Sequence, residues 1–279
     1  MKYLENDIAY FHYNEAVLDS ITRFCFLIRD NPFFLKPFRG INEEMRNIFP
    51  VRDKVVQQPL YFFDRTPVFC RDGLFLLPTV KKTLLFYDEK NDCFLKIIHP
   101  LTFKNKVFSL FSNKAKSIYY LSENLLSKGI KVPKILTFGV IKKIGSPFFI
   151  MGRVDGRSLL SILIKEKKKF PFDIYLKIID RVAEVHRIGY WFGDLRISHI
   201  FMKNGDISGF IDIDNMRKNI PFRLRNLAKD IAGLNHPELP LSDEEKMSLF
   251  KHYISKLDIK KGEHLLQLVK HYTNRRWNR

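Results

Sequence analysis

Two groups of acidic residues flank a β-hairpin pattern between residues 190 and 214. Asp194 follows a Phe-Gly pair, and an apolar run and an Asn-Gly turn come after it. A second apolar run then ends in Asp212 and Asp214, with Asp212 lying 18 residues beyond Asp194. Carboxylates at the two ends of a hairpin suit phosphoryl transfer. One acid orients or deprotonates the acceptor hydroxyl, and the other holds Mg²⁺ on the nucleotide phosphates.

The order of these residues resembles the protein-kinase signature, H-R-D-L-x-x-x-N followed by a strand and D-F-G. The corresponding stretches here are F-G-D-L-R-I-S-H at 192–199 and D-I-D at 212–214, so His199 stands where the signature has asparagine. Two acidic turns around an ordinary hairpin remain an alternative interpretation. The combination with a preceding helical pattern at 173–188 favours the kinase-like one.

A predicted β-meander upstream supplies a candidate phosphate-binding lysine. The apolar runs at 75–80, 83–87 and 93–98 predict three strands, and Lys96 is the basic residue of the third. A lysine in this strand matches the one that reaches nucleotide phosphates in kinases, although an edge-strand lysine facing water would give the same pattern. The turn at 81–82 contains two lysines and lacks the glycines of a phosphate-covering loop.

Several helical patterns carry other candidate residues. A helix at 113–128 carries Glu123, which is a candidate partner for Lys96 or a solvated surface residue. Ser158 is predicted to cap a helix through Ile164. His186, at the end of the helix at 173–188, would pack close to the Asp194 loop in a kinase-like fold, but the favoured interpretation is a histidine stabilised by the helix dipole. The C-terminal helix ends in Arg-Arg-Trp-Asn-Arg, which predicts either an anionic interface or a disordered end.

The charge balance predicts an anionic partner. The chain of 279 residues has a formal net charge of +18, and the basic residues between 217 and 225 directly follow the acids at 212–214. No nucleic-acid-binding motif is present, so nucleic acid is not expected. The three cysteines have no metal-binding spacing, which favours free thiols in a reducing compartment. No apolar run is long enough to cross a bilayer, and the N-terminus is too polar for a signal peptide.

Residues 129–234 together resemble the lipopolysaccharide kinase family, which phosphorylates Kdo or heptose in the inner core. The matching stretches are G-I-K-V-P at 129–133, V-D-G-R-S-L at 154–159, H-R-I-G-Y-W-F-G-D-L-R-I-S-H at 186–199, I-D-I-D-N-M-R at 211–217 and R-N-L-A-K-D-I-A at 225–232. A histidine at 199 is similar to the heptose kinases, whereas the D-I-D ending is more like the Kdo kinases, so the subfamily stays open.

The resemblance implies an α+β fold, the two-lobed protein-kinase-like fold, with a small β-rich N-lobe at 71–152 and a larger helical C-lobe at 153–279. Residues 1–70 would be an N-terminal extension of unknown role. The resemblance also assigns the site residues. Asp194 and His199 would serve catalysis, Asp230 would support the catalytic loop, Lys96 would contact the phosphates of ATP, and Asp212 and Asp214 would hold Mg²⁺.

The expected partner is therefore an anionic glycolipid acceptor, the lipopolysaccharide core, reached by a cytoplasmic protein peripherally bound to the inner face of the cytoplasmic membrane. Two alternatives remain. A small-molecule kinase of the aminoglycoside or choline type is compatible with D-I-A at 230–232. A catalytically inactive kinase-like binding protein is compatible with the missing glycine-rich loop.

Overall fold

The computed structural model of the chain describes residues 2–6, 9–13, 15–30, 69–71, 73–77, 83–99 and 114–277. The chain divides into two compact units: Met1–Lys128 with Pro133–Arg153, and Gly129–Val132 with Val154–Arg279. The predicted turn at 81–82 and the part of the N-terminal extension from 31 to 68 lie outside the described residues.

The first unit is built on an eight-stranded antiparallel sheet with the strand order β1-β2-β7-β8-β6-β5-β4-β3. The predicted meander is confirmed, because β4, β5 and β6 are consecutive antiparallel neighbours. Two strands from the N-terminal extension also join this sheet, through β2. Its elements are β1 (Lys2–Glu5), β2 (Ala9–Tyr13), α1 (Leu18–Asp30), β3 (Phe69–Arg71), β4 (Leu74–Leu77), β5 (Thr83–Asp88), β6 (Cys93–Ile98), α2 (Lys114–Ser127), β7 (Ile135–Ile141) and β8 (Ser146–Gly152).

The core of this unit forms where the apolar face of α1 packs on the sheet. Phe24 of α1 lies 6.4 Å from Phe86 and 5.8 Å from Phe148, measured between ring centroids. All three side chains are buried and belong to one apolar cluster. Because side chains alternate across a strand, every second residue of β2 is also buried, in the pattern expected for a strand with one face in the core.

A buried aspartate fixes α1 to the sheet. Asp88, at the end of β5, accepts hydrogen bonds from Ser20 (2.8 Å) and Arg23 (2.8 Å) of α1. It also accepts from the Asn91 side chain (2.9 Å) and the Lys90 backbone (3.1 Å) in the next turn. A buried carboxylate with its oxygens satisfied in this way stabilises one orientation of the helix, because any other would leave a charge unpaired.

The second unit is mainly helical and carries two small sheets. The predicted hairpin is confirmed: β11 and β12 are antiparallel, and β9 pairs with β11 on its other edge. The elements of this unit are β9 (Arg157–Ser158), α3 (Phe172–Arg187), β10 (Tyr190–Trp191), β11 (Ile200–Lys203), β12 (Asp206–Phe210), β13 (Arg217–Lys218), α4 (Leu224–Leu234), α5 (Asp243–Leu257) and α6 (Gly262–Trp277).

The prediction that Ser158 caps a helix is confirmed. The Ser158 hydroxyl accepts a hydrogen bond from the backbone N–H of Ser161 at 3.1 Å, and the chain is helical from 159 to 165. Most of this helix, Ser161–Lys165, is a π-helix, and the capping residue itself pairs with Phe201 of β11 as part of β9.

Candidate active site

The loop that carries Asp194 is held between two secondary-structure pairings. Before it, β10 follows the end of α3, and after it the chain enters β11. β10 pairs with β13, so that Tyr190 lies opposite Lys218 and Trp191 opposite Arg217. The pairing of β10 with β13 therefore joins the segment before Asp194 to the segment after Asp214, although the two strands are distant in sequence.

Asp230 lies beneath this loop, completely buried in α4. Its carboxylate accepts hydrogen bonds from the backbone N–H groups of Phe192 (2.6 Å) and Gly193 (3.1 Å). It also meets Nε2 of His186 at 3.2 Å, and because a carboxylate only accepts, this nitrogen is the donor. The loop backbone immediately before Asp194 is thus fixed by a single buried anion.

The expectation that His186 is stabilised mainly by the helix dipole was wrong. His186 is 2% exposed, and its Nδ1 lies 2.6 Å from the hydroxyl of Tyr253 on α5. Burial raises the pKa of Tyr253 well above its ordinary value, and the charge of Asp230 raises it further. The side chains of Tyr253, His186 and Asp230 form one buried hydrogen-bonded chain from α5 through α3 to α4 and on to the loop. Each polar group in such a buried chain needs a hydrogen-bond partner.

Asp194 is held by two arginines from different parts of the chain. Arg196, two residues later, donates to it through Nε (3.2 Å) and Nη2 (3.0 Å). Arg276, in the last turn of α6, donates to Oδ1 at 2.6 Å. Burial alone would raise the pKa of Asp194, but the hydrogen bonds and charges of Arg196 and Arg276 outweigh that effect and lower it below its ordinary value. Asp194 is accordingly ionised at neutral pH.

Two glycines allow the elements around Asp194 to approach closely. Gly193 has φ +83°, and a Cβ there would lie 2.6 Å from the carbonyl oxygen of Asn215. Gly233 of α4 lies against the same loop, because a Cβ would come 1.9 Å from the carbonyl oxygen of Leu195 and 2.9 Å from a guanidinium nitrogen of Arg276. A side chain at either position would push the loop away from its supports.

Asp212 and His199 lie next to each other at the open end of the hairpin, where β11 begins and β12 ends. His199 Nε2 is 3.9 Å from Asp212 Oδ2, and both side chains are partly exposed. Asp212 has φ +60°, a left-handed conformation that is uncommon for residues other than glycine and that recurs at functional sites. Asp214 follows in a short 3₁₀ turn, Ile213–Asn215. The hairpin therefore brings His199 to Asp212, and Asp214 follows two residues later in the chain.

Carboxylates are the protein ligands that Mg²⁺ prefers, and Mg²⁺ in phosphotransferases commonly uses only one or two of them together with the substrate phosphates. Within the described part of the chain, no three His, Cys, Asp or Glu side chains are gathered into a self-sufficient metal site. Asp212 and Asp214 fit the phosphate-assisted type of site, whereas His199 offers a softer nitrogen ligand.

Lys96 belongs to the first unit. It lies in β6 between Leu85 of β5 and Phe149 of β8, and it is 9% exposed. A lysine this buried is held in a central strand, so the alternative of an edge-strand lysine facing water was wrong. Glu123 lies in α2 and is partly exposed.

The residues that sequence reasoning missed are on the C-terminal helix and α5. Arg276 was assigned to an anionic interface or a disordered end, but it binds Asp194. Trp277 follows it and donates from Nε1 to the Ala232 carbonyl at 3.1 Å, while its ring lies 4.6 Å from that of His236. The Arg-Trp pair therefore anchors the end of α6 on α4. No local signal in the sequence predicts a contact between residues 82 positions apart.

Comparison with known proteins adds likenesses of fold. No family model matches the chain, and no curated protein matches it. Among solved structures, a complex of WbdD with the kinase inhibitor LY294002 is 16% identical, with a TM-score of 0.47, and the match covers 70% of this chain and 44% of that one. A structure described as the bifunctional kinase-methyltransferase WbdD is 15% identical, with a TM-score of 0.44 and coverage of 69% and 47%. Vaccinia related kinase 3 is 14% identical, with a TM-score of 0.37 and coverage of 80% and 79%.

The chain spans less than half the length of the WbdD chains that it matches. The predicted α+β class, with a β-rich unit followed by a mainly helical one, is confirmed by the chain's own elements. An antiparallel sheet with a buried strand lysine precedes the helical unit, which carries the hairpin between Asp194 and Asp212.

In the described residues, no helix has both the length and the apolar content that crossing a membrane requires.

Proposed function

We propose that the chain is an ATP-dependent phosphotransferase that phosphorylates a sugar hydroxyl, of heptose or Kdo, in the lipopolysaccharide inner core. The observation that carries this proposal is the support of Asp194. The loop that carries Asp194 is hydrogen-bonded to the fully buried Asp230, and two arginines keep the Asp194 carboxylate ionised. A preorganised, ionised carboxylate on a rigid loop is what orienting an acceptor hydroxyl requires.

Each residue has one task in this reaction. Asp194 accepts the hydrogen bond of the acceptor hydroxyl and takes its proton. Arg196 and Arg276 keep that carboxylate in place and ionised in the free enzyme. Asp212 and Asp214 hold Mg²⁺, which when bound neutralises charge on the nucleotide phosphates. Lys96 contacts the phosphates, and His199 orients Asp212, its neighbour at 3.9 Å.

The acceptor class follows from the sequence resemblance and from charge. The stretches that match the lipopolysaccharide kinases include the whole Asp194 loop and the segment from 211 to 217. The phosphorylated sugars of a lipopolysaccharide core are anionic, and a chain with net charge +18 is attracted to them and to the anionic inner face of the cytoplasmic membrane. The protein would act there as a cytoplasmic, peripherally bound enzyme.

The first test measures the binding of Mg-ATP to the wild type and to Asp212→Asn by calorimetry and thermal shift. We expect binding that the substitution weakens strongly. Asp206→Asn is the matched control, because Asp206 is an exposed carboxylate on the same hairpin. Transfer of labelled phosphate is then measured to Kdo- and heptose-containing core acceptors, with free choline and an aminoglycoside alongside.

One observation favours a second candidate, a kinase-like binding protein without activity. Both oxygens of Asp194 are engaged by arginines, an arrangement that would also serve a purely structural ion pair. This candidate predicts no Mg-ATP binding by the wild type. Transfer to choline or the aminoglycoside, with none to core sugars, would instead identify a small-molecule kinase.

A further inference from the structure

The segment that follows the acids at 212–214 exposes two large apolar side chains. Ile220 is 76% exposed and Phe222 is 58% exposed, which makes them the most exposed of the large hydrophobic residues that the structure describes. They are separated by a single proline. Two such apolar side chains exposed side by side indicate a surface that binds an apolar partner, because the exposure of apolar surface to water is unfavourable in free energy.

The loop that displays them is fixed from below by Asn219. This residue is 4% exposed, and its backbone N–H donates to the Gly189 carbonyl at 2.8 Å. Its side-chain oxygen accepts from the Arg223 backbone at 3.2 Å and from the Asn226 side chain at 2.8 Å. Ile220 and Phe222 therefore project from a preorganised turn, so binding through them costs little conformational entropy.

Four cations surround the two apolar side chains in sequence. All four are exposed, and none pairs with a carboxylate within the described part of the chain. Their charges are therefore available to an external anion. The four are Arg217, Lys218, Arg223 and Arg225.

We propose that residues 217–225 form a docking loop that places Ile220 and Phe222 in the interfacial region of an anionic phospholipid bilayer, with the four cations against headgroup phosphates. An apolar tip flanked in sequence by exposed lysine and arginine matches this interface, where the acyl boundary lies just beneath a layer of anionic phosphate. The docking loop adds a membrane-binding element to the proposed function, because it begins three residues after Asp214. It rests on the proposed function for the identity of the acceptor.

Protein and nucleic-acid partners fit this surface less well. A stable protein–protein interface needs about 20–30 residues from each side, far more than this loop provides. Single-stranded nucleic acid is bound by aromatic platforms on which bases stack, whereas the more exposed of the two side chains here is aliphatic. The bilayer is the partner for which a small apolar tip with exposed cations on both sides in sequence is sufficient.

The test is co-sedimentation of the full chain with vesicles of phosphatidylglycerol mixed with phosphatidylcholine, without nucleotide. We expect binding that falls about tenfold for Ile220→Ser and again for Phe222→Ser, on the basis of lost apolar burial. The double variant Lys218→Gln/Arg225→Gln is expected to bind about tenfold or more weakly as well, and added salt should weaken wild-type binding.

Tyr120→Ser is the matched control. Tyr120 is 57% exposed on α2, and it has a lysine, Lys116, 6.0 Å from its ring. We expect this variant to bind vesicles like the wild type. Equal losses for Tyr120→Ser and Phe222→Ser would overturn the docking loop, and so would wild-type binding to pure phosphatidylcholine that matches binding to the anionic mixture.

A second measurement separates this proposal from the proposed function. Mg-ATP binding by Ile220→Ser and Phe222→Ser should equal that of the wild type, since neither side chain belongs to the Asp194 or Asp212 groups. Vesicle binding without Mg-ATP binding would support the docking loop and contradict the phosphotransferase. Mg-ATP binding with no vesicle binding by the wild type would do the reverse.

Discussion

Each unit of the molecule contains an aspartate held by an arginine, and the two differ in what surrounds them. Asp88 has a side chain only 5% exposed, and its four hydrogen bonds come from α1 and the turn after β5. Asp194 has a side chain 35% exposed, and its partners are two guanidinium groups. The first carboxylate is enclosed by the residues that bind it, whereas the second is partly exposed to solvent although both its oxygens accept hydrogen bonds.

This difference distinguishes a structural carboxylate from the one that we propose to be catalytic. The supports of Asp88 come from residues that pack directly around it. The loop of Asp194 is supported indirectly, by Asp230 through the backbone N–H groups of Phe192 and Gly193. Removing Asp88 should therefore cost stability, while removing Asp194 should cost activity.

The largest expected effect is on catalysis. Asp194→Asn should lower kcat by about 10²–10⁴-fold, the range typical of a lost general base. The free energy of unfolding should change by less than about 1 kcal/mol, because the ion pairs of Asp194 are half exposed. Steady-state phosphate transfer and chemical denaturation measure the two effects. A variant that transfers phosphate at the wild-type rate would remove Asp194 from the mechanism.

The converse substitution is Asp88→Ala. We expect the free energy of unfolding to fall by about 3–5 kcal/mol, because Arg23 loses its buried partner. The rate per folded molecule should stay near the wild-type rate. Asp19→Ala is the control, on the helix α1 that Asp88 holds, since the Asp19 side chain is 51% exposed and pairs with Lys90 at the surface. Equal destabilisation by both substitutions would contradict the structural role of Asp88.

The pH dependence of folding stability tests the structural role of the first unit further, through its buried His99. His99 is 3% exposed, and burial lowers its pKa from 6.5 to about 4. Its Nδ1 meets Ser146 at 3.2 Å, and its Nε2 has no hydrogen-bond partner among the described residues. The folded state resists protonation that the unfolded chain accepts, so its stability falls as pH drops below 6.5 towards 4.

We expect this single group to contribute on the order of 3 kcal/mol to that fall. Denaturation at several pH values would measure it, and His99→Gln should flatten this part of the profile. The exposed His271→Gln is the control and should leave the profile unchanged. An unaltered slope in His99→Gln would show that another group titrates.

The smallest expected effect concerns the second arginine on Asp194. Arg276→Ala should lower kcat on the order of tenfold, since the carboxylate keeps Arg196 and loses only part of its alignment. Losing the charge of Arg276 should also raise the pKa of Asp194, so the acid limb of the kcat/KM profile should move to higher pH.

Arg275→Ala is the neighbouring control, because Arg275 is exposed and Arg276 alone of the pair contacts Asp194. An acid limb that stays in place for Arg276→Ala would mean that this contact does not tune the carboxylate. Equal effects of the two substitutions would indicate a general role of charge at the end of α6.

Much of the candidate site was predictable because its residues are close in sequence. The hairpin between Asp194 and Asp212 follows from two apolar runs and an Asn-Gly turn, and the strand of Lys96 follows from its apolar neighbours. Such patterns report local backbone preferences, so the strand positions of these residues could be predicted without knowing what packs on them. The helix that Ser158 caps was predictable in the same way, whereas its π-helical geometry was not.

The amino-acid sequence by itself determined the α+β class, the hairpin with an acid at each end, and the excess of positive charge. Each of these depends on neighbours in the chain. Only the tertiary structure decided that His186 is buried against Asp230, and that Arg276 reaches Asp194 from 82 residues away. Those contacts are set by how α3, α4 and α6 pack around the loop. The packing depends on the complementary surfaces of whole helices, which a pattern of spacings does not encode.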